Sequence, residues 1–341
     1  MTTSANFDFT YDDRIATIAA CSSMGRLQET AGREEPLGPA EWSEVAQWLQ
    51  ERGLRPAALL DQSAELDGFD GLKAKLARRL IDLPARASLV SLELERFENR
   101  GIWSLVRFDE AYPRQWRDKL KNLAPPVLFG AGPVHLLSAA PSLAIVGSRN
   151  IDERLQEVAA AIGRRAAAAG HLIVSGGAKG SDRWGMAGAL AAGREAVGVL
   201  HGDLLKDAGN RQSRQYIEDG LLCLAAHVHP STGFVTGNAM ARNRYIHALA
   251  NATVVVAATA GSGGTWQGSI DNLQRHFSPL LVWSGPGAPP GNAALIDQGA
   301  FPLADIPDNA QSMIDVLDAA REHHATRRAS PPMPVQTGFA I

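Results

Sequence analysis

The second half of the chain constrains the fold most, because short apolar segments alternate there with glycine-rich loops and helical patterns. Residues 152–169 place apolar side chains at helical spacing and are followed by the helix-stopping Gly170. A further helix is expected after residue 182, to about 192. Short apolar strands separated by helices predict a parallel sheet covered by helices on both faces. The predicted strands are residues 143–146, 171–175, 196–200, 221–225, 253–258 and 279–283.

The first part of the chain has a different pattern and predicts a small helical domain over residues 1–95. Residues 12–95 are rich in Leu, Ala, Arg and Glu. Apolar residues at helical spacing form two faces, one of Trp42, Val45, Trp48 and Leu49 and another of Leu72, Leu76 and Leu80.

Three further segments complete the predicted domain organisation. Residues 96–140 contain short extended pieces near 102–106 and 125–130 and are interpreted as a connector that packs on the core. Residues 141–320 form the sheet domain. Residues 321–341 hold arginines and prolines and are predicted to be a disordered tail.

Composition excludes several classes of protein. The 341 residues are 45% hydrophobic and 20% charged, which is typical of a folded globular chain. The net charge of −3 disfavours a protein that coats nucleic acid by bulk charge, but it permits a local basic pocket. Cys21 and Cys223 form no CxxC pair, so neither a disulfide framework nor a cysteine-based zinc site is expected.

The sequence also favours a cytoplasmic protein with no membrane contact. No signal-peptide pattern is visible at residues 1–8. Charged residues or glycines interrupt every apolar stretch well before the roughly 18 residues that a membrane span requires.

Ligands of an open parallel sheet bind at the carboxyl ends of its strands, and three glycine-rich loops begin there. The first contains Gly147, Ser148 and Arg149. Gly147 permits a tight turn, N–H groups at the start of the following helix attract an anion, and the Arg149 guanidinium suits bidentate contact with phosphate. The alternative is an ordinary turn in which Asn150 caps the helix.

The second loop, residues 175–182, includes Gly176, Gly177 and Lys179. Its spacing does not match GxxxxGK[ST], so ATP hydrolysis of the P-loop type is rejected. Lys179 is a candidate phosphate ligand, and the alternative is a solvated loop lysine. Asp182 is expected to cap the helix that follows.

The third loop offers N–H groups for an anion nest. Its residues are Ser262, Gly263, Gly264 and Thr265. GxGxxG followed by an acidic residue is absent, so a standard dinucleotide site is disfavoured.

Arg242, Asn243 and Arg244 stand at the start of an apolar helical segment. Two arginines at a helix N-terminus oppose the helix dipole, and a bound anion relieves that conflict. Surface salt bridges are the alternative. Together, the loops and this basic cluster predict a ligand that carries phosphate.

Taken in order, these motifs resemble the DprA/Smf DNA-processing family over roughly residues 100–303. The resemblance is carried by residues 143–149 (LAIVGSR), 173–182 (IVSGGAKGSD), 242–244 (RNR) and 262–265 (SGGT). It implies a Rossmann-like parallel sheet preceded by a helical, SAM-like domain. It also implies a dimeric protein that binds single-stranded DNA and helps to load RecA recombinase during DNA uptake, natural transformation and recombination.

The same resemblance implies roles for individual residues. Arg149, Lys179, Arg242 and Arg244 are the implied phosphate contacts. Ser148 and the loop glycines are implied to donate backbone N–H groups.

Departures from the family pattern keep two alternatives open. Met186 stands where the family has a histidine, and too few residues follow position 300 for the family's winged-helix domain. The first alternative is a nucleotide-sensing or antitoxin-like partner protein in phage defence. The second is a nucleotide N-glycosidase, whose glycine loop resembles residues 262–265, although Trp266 and Gln267 follow where that class has a glutamate.

Aromatic residues and histidines near the loops complete the candidates. Trp184 and Trp266 are interpreted as base-stacking residues or as side chains that pack a helix on the sheet. His227 and His229 share one face of an extended segment without an evident third ligand, so no metal is expected. Neither GxSxG nor HExxH is present, and the chain is predicted to be non-enzymatic and free of cofactors.

Overall fold

The computed structural model describes residues 9–25, 35–61 and 69–329. In this part of the chain, a nine-stranded sheet has the order β1-β2-β6-β5-β4-β3-β7-β8-β9. Its strands are β1 (Ile102–Val106), β2 (Val127–Ala131), β3 (Ser142–Val146), β4 (Leu172–Ser175), β5 (Ala196–Leu200), β6 (Leu222–Ala226), β7 (Ala252–Val255), β8 (Leu280–Trp283) and β9 (Phe301–Leu303).

The helices fall into an N-terminal group and a group that alternates with the strands. The first group is α1 (Tyr11–Cys21), α2 (Pro39–Glu51), α3 (Ala74–Leu80) and α4 (Leu83–Glu98). The second is α5 (Arg114–Leu120), α6 (Glu153–Ala168), α7 (Ser181–Leu190), α8 (Leu204–Gly209), α9 (Arg211–Glu218), α10 (Thr236–Leu249), α11 (Gly263–Arg275), α12 (Pro290–Asp297) and α13 (Ala310–Ala329). None of the described helices is long and apolar enough to span a membrane.

Strands β3 to β9 pair in parallel, which confirms the predicted α/β fold with a Rossmann-like parallel sheet. Every residue of β3 to β8 is buried, as expected for strands covered on both faces. Leu155 and Ile162 of α6 belong to the core on one face, and Ile246 and Leu249 of α10 belong to the core on the other. The loops at the carboxyl ends of the strands therefore lie between two packed helical layers.

The segment predicted to be a connector is part of the sheet. Strand β1 pairs antiparallel with β2, and β2 pairs antiparallel with β6, with Phe129 opposite Ala226. Helix α5 then crosses to α10, where the Trp116 indole N–H donates to the Tyr245 carbonyl oxygen at 2.8 Å. The sheet thus begins at residue 102, because these short apolar segments are buried strands.

The N-terminal helices pack directly against this edge of the sheet. Arg14 donates to the Ser104 carbonyl oxygen at 2.8 Å and forms an ion pair with Asp109 at 3.0 Å. Helix α4 continues through residue 98, so the boundary predicted at residue 95 falls inside a helix. Buried residues of α1 and α4 join the same apolar cluster as α6, and the helical region has no separate core.

The predicted disordered tail needs a correction at residues 321–329. These residues continue α13, which buries Met313, Leu317 and Ala320. His323 and Arg327 both bind the Gly299 carbonyl oxygen, which anchors the end of the helix. Residues 330–341 lie outside the described residues.

Candidate nucleic-acid interface

The carboxyl ends of β3 and β7 open into a cavity of about 560 Å³, which we call the switch-point cleft. The chain runs from β3 to β4 on one side and places β7 on the other, so the strand order reverses at this point, where open α/β sheets bind ligands. Many of the residues predicted from sequence line the cleft. They are Gly147, Ser148, Arg149, Arg242, Asn243, Ser262, Gly263, Gly264 and Thr265.

Among the cationic side chains that line the cleft, Arg149 is the one accessible to a ligand. Its side chain is exposed, and it forms no ion pair with any described carboxylate. The guanidinium carbon lies 5.3 Å from the centre of the Phe234 ring, and Phe234 is itself 54% exposed. A cation over an aromatic face is weakly held at an exposed site, so Arg149 is oriented while its N–H groups stay available.

Sequence analysis did not identify Phe234 or Met240 as site residues. Met240 also lines the cleft and is 56% exposed. The available signal was an apolar pair, Phe234 and Val235, in a segment otherwise rich in Gly and Thr. Exposed apolar side chains beside an arginine form a surface on which a planar base can stack.

The backbone of the first loop is already hydrogen-bonded within the protein. The Ser148 N–H donates to the Ala257 carbonyl oxygen at 2.8 Å, and the Ser148 hydroxyl accepts from the Asn150 N–H at 3.3 Å. Helix α6 is capped by Asp152, which accepts from the Leu155 N–H at 2.9 Å. The α6 N-terminus is therefore not an open anion site, and Asp152 takes the capping role that the alternative interpretation gave to Asn150.

The N-terminus of α11 faces the cleft from the other side. Its N-cap residue, Ser262, makes no side-chain capping bond, so the first N–H groups of the helix have no capping acceptor. The Asn243 amide donates to the Gly264 carbonyl oxygen at 2.9 Å and fixes this loop to α10. Unpaired N–H groups and the positive end of the helix dipole favour a bound anion here.

Arg242 and Asp182 form a buried ion pair beneath the cleft. The guanidinium Nη1 and the carboxylate Oδ2 are 3.1 Å apart, and each side chain is 5% exposed. Burial raises the pKa of Asp182, although Arg242 and the Gly147 and Gly176 amides oppose that shift. Asp182 thus pairs with Arg242 and does not cap α7, in contrast to the sequence interpretation. A phosphate contact of Arg242 stays a prediction.

Five other predicted residues lie outside the switch-point cleft. Arg244 donates to Asp271 at 2.8 Å and is not among the lining residues of the cleft, which matches the salt-bridge alternative. Lys179 and Trp184 line a neighbouring cavity, as does Gly177. Trp266 is half-buried and packs against the core on the α10 face of the sheet.

The two histidines considered for metal binding have different partners. Burial lowers the pKa of His227 to about 4, and its ring packs edge-on against Tyr245 with centroids 4.9 Å apart. The His229 Nε2 lies 2.9 Å from the Glu93 carboxylate on α4. The described residues contain no group of three or more His, Cys, Asp or Glu side chains arranged to hold a metal.

Gly180 precedes α7 with φ +83°, and a Cβ at this position would overlap the Ser148 and Arg149 carbonyl oxygens. We expect Gly180→Ala to lower the free energy of unfolding by about 2–5 kcal/mol, since left-handed strain and steric overlap add. Gly193 is a matched control because it has φ +66° and open space around it. Gly193→Ala should cost about 1–2 kcal/mol in urea unfolding. Equal losses of unfolding free energy in the two variants would contradict the close approach of Gly180 to the loop that contains Ser148 and Arg149.

His247, which lines the cleft, gives the protein a predictable acid sensitivity. Burial lowers its pKa to about 4, against the opposing effect of Asp271, and its Nδ1 lies 3.2 Å from the Thr253 hydroxyl. The unfolded chain takes up a proton near pH 6.5 while the folded chain does not, so stability falls as the pH drops from 6.5 towards 4. Between pH 7 and pH 5, this one group should cost about 2 kcal/mol.

The variant His247→Gln tests this prediction because it removes the titrating group and keeps a hydrogen-bonding side chain. Urea unfolding at pH 7 and pH 5 should show a loss about 2 kcal/mol smaller in the variant than in the parent protein. The same loss in both proteins would show that His247 does not titrate as its burial implies.

A parallel α/β sheet whose switch-point cleft holds an exposed arginine and a helix N-terminus defines a Rossmann-like protein with a candidate site for a phosphate-bearing ligand. The family model for DNA recombination-mediator protein A matches residues 103–313 of this chain, and the protein belongs to that family. The resemblance predicted from the sequence motifs is thereby confirmed. The DNA processing protein DprA of Bacillus subtilis (strain 168) is 28% identical over 214 residues, which cover 61% of this chain and 70% of that protein.

Two solved structures share the fold. The X-ray structure of DprA from Streptococcus pneumoniae has a TM-score of 0.66 at 20% identity and covers 91% of this chain and 98% of its own. A structure that concerns single-stranded DNA binding by DprA from Helicobacter pylori has a TM-score of 0.51 at 22% identity. It covers 64% of this chain and 96% of its own.

Proposed function

We propose that this protein binds single-stranded DNA at the switch-point cleft and acts in DNA processing during uptake and recombination. The observation that carries the proposal is the pairing of two anion-binding elements across the cleft. The exposed, unpaired Arg149 lies on one side, and the uncapped N-terminus of α11 lies on the other. Both elements can bind a phosphate group, and their N–H groups are not occupied by a hydrogen bond or an ion pair with another described residue.

The preference for a single strand follows from the exposed apolar side chains. Phe234 lies beside Arg149 and Met240 lines the same cleft, and these exposed side chains can stack on bases only when those bases are unpaired. Membership in the recombination-mediator family and the DNA-binding relative from Helicobacter pylori support the same ligand.

Fluorescence anisotropy of a labelled oligonucleotide tests the proposal. We expect single strands to bind more tightly than a duplex of the same sequence. With about three to five phosphates engaged, the logarithm of the affinity should fall with the logarithm of the salt concentration at a slope of about −2 to −3.5. Affinity that does not depend on salt, or complete competition by a mononucleotide, would contradict DNA binding and favour the nucleotide-sensing alternative.

The remaining functional predictions belong to the same proposal. We expect a cytoplasmic homodimer that presents the bound strand to RecA recombinase without catalysing a reaction. Among the described residues that line the cleft, Asp182 is the only carboxylate, and it is paired with Arg242. A nucleotide N-glycosidase needs a free carboxylate, so no observation in the cleft favours that activity.

A further inference from the structure

A second cavity of about 650 Å³ adjoins the switch-point cleft, and we call it the side cavity. It lies between α7 and α9 over strands β5 and β6, and Leu200, Leu222 and Leu224 form part of its lining. Its volume falls within the roughly 300–1,000 Å³ typical of small-ligand pockets. Gly177, Lys179 and Gly180 of the family motif at residues 173–182 line part of it, whereas the proposed phosphate contact at Arg149 lies in the switch-point cleft.

A single loop separates the two cavities. Ala178 lines the switch-point cleft, whereas Gly177, Lys179 and Gly180 line the side cavity. Consecutive Cα atoms are only about 3.8 Å apart, so the two cavities share a thin wall. A strand with one phosphate at Arg149 is therefore well placed to put a neighbouring nucleotide in the side cavity.

The floor of the side cavity is apolar. Met186 and Leu190 of α7 join the three leucines of β5 and β6 there. Gly198 of β5 contributes no side chain, and a Cβ at that position would meet Leu224 and Met186. Glycine at this position therefore lets Leu224 pack closely over β5 and form part of that floor.

The entrance of the side cavity carries positive charge and an aromatic ring. Lys179 and Arg183 are exposed, and neither forms an ion pair with a described residue. Trp184 is 41% exposed, which is unusual for so large an apolar side chain on a helix that packs against a sheet. Cations next to an exposed aromatic ring are the combination that single-stranded nucleic-acid sites use for phosphate and base.

The far rim can hydrogen-bond the edge of a base. The Asp207 carboxylate and the Tyr216 hydroxyl line the cavity, and neither makes a hydrogen bond with another described residue. A base that stacks on Trp184 would therefore meet unsatisfied acceptors and donors at its edge.

We infer that the side cavity is a nucleobase subsite, which takes one base of the bound single strand against Trp184 while Lys179 and Arg183 contact the adjoining phosphate. This inference rests on the proposed function, because it places a second nucleotide of the same strand. It assigns Lys179 and Arg149 to different nucleotides on either side of one loop.

Paired oligonucleotides of equal length test the subsite, one of thymidine and one of abasic residues with the same phosphates. Trp184→Ala should weaken binding of the thymidine strand about 5- to 150-fold, the loss expected for one stacked base, and should leave the abasic strand unchanged. Trp184→Phe should restore most of the affinity. Equal weakening of both strands, or of neither, would overturn the inference.

A second variant blocks the cavity without touching the tryptophan. Ala187 is half-buried and lines the cavity from α7, so Ala187→Phe should reduce binding of the thymidine strand and spare the abasic strand. A strand that carries 5-iododeoxyuridine should cross-link on irradiation to the peptides of Trp184 or Tyr216. Cross-links confined to Phe234 would place the base in the switch-point cleft and contradict the subsite.

Arg149→Ala, measured in the same series, separates the two claims. It should weaken both strands, because it acts on phosphate. If Arg149→Ala weakens both strands, but Trp184→Ala weakens the thymidine and abasic strands equally or not at all, the proposed function stands and the subsite is wrong. If the parent protein binds neither strand, both claims fall together.

Discussion

Replacing Arg242 with methionine is expected to lower the free energy of unfolding by about 3–5 kcal/mol, although the residue belongs to a predicted ligand site. The substitution leaves the Asp182 carboxylate buried without its partner, and burial already raises the pKa of that group. The two residues also connect separate layers, because α7 and α10 pack on opposite faces of the sheet. Their ion pair holds the layers together at the carboxyl edge.

Two further variants show whether the loss comes from the unpaired charge. The double variant Arg242→Met with Asp182→Leu should recover most of the lost stability, because well-packed apolar residues often replace a buried ion pair at little cost. Arg149→Met should leave urea unfolding unchanged, since that side chain is exposed. If Arg242→Met alone lowers the free energy of unfolding by much less than about 3–5 kcal/mol, solvent or another group must stabilise the buried Asp182 carboxylate.

The strands of the parallel sheet were the most predictable part of the structure. Residues 196–200 were predicted as a strand, and β5 spans the same residues. Apolar segments bounded by glycines identify such strands, because each one is buried on both faces. The antiparallel pairing of β2 with β6 was not predictable, since Phe129 and Ala226 are distant in sequence and no local pattern links them.

The sequence predicted the residue types of the candidate site, but not the ion pairs that its arginines form. Glycines and cations at the ends of strands identified the right edge of the sheet. Sequence could not show that Arg242 pairs with Asp182, 60 positions away, or that Arg244 pairs with Asp271. Which arginine stays free depends on the carboxylates that folding brings beside it, and here that arginine is Arg149.

The loop at residues 175–182 also shows that sequence does not predict which site a residue lines, even for adjacent positions. The sequence motifs predict one phosphate site for Lys179 and Arg149, yet Lys179 lines the side cavity and its neighbour Ala178 lines the switch-point cleft. Gly180 has φ +83° and lies close to the Ser148 carbonyl oxygen. The turn there depends on this contact with the first loop, which the sequence of the second loop does not contain.

Arg149→Ala is expected to weaken binding of single-stranded DNA about 10- to 150-fold. The loss corresponds to about 1.5–3 kcal/mol for hydrogen bonds to a charged group. The salt dependence should also become shallower by about 0.7 in slope, because one phosphate contact is removed. Anisotropy titrations at several salt concentrations measure both effects. Arg149→Lys should retain the slope and lose part of the affinity, since an ammonium cannot make the bidentate contact.

Arg100 provides the matched control for this prediction. It is exposed and precedes β1, which lies five places from β3 in the order of the sheet. Arg100→Ala removes the same charge from the protein, so it should alter the affinity only through long-range electrostatics, which salt screens. If the two alanine variants bind equally well, the protein attracts DNA by its overall field and the switch-point cleft is not the binding site. If only Arg149→Ala loses affinity while its unfolding is unchanged, the free arginine at the switch point is the residue that holds the strand.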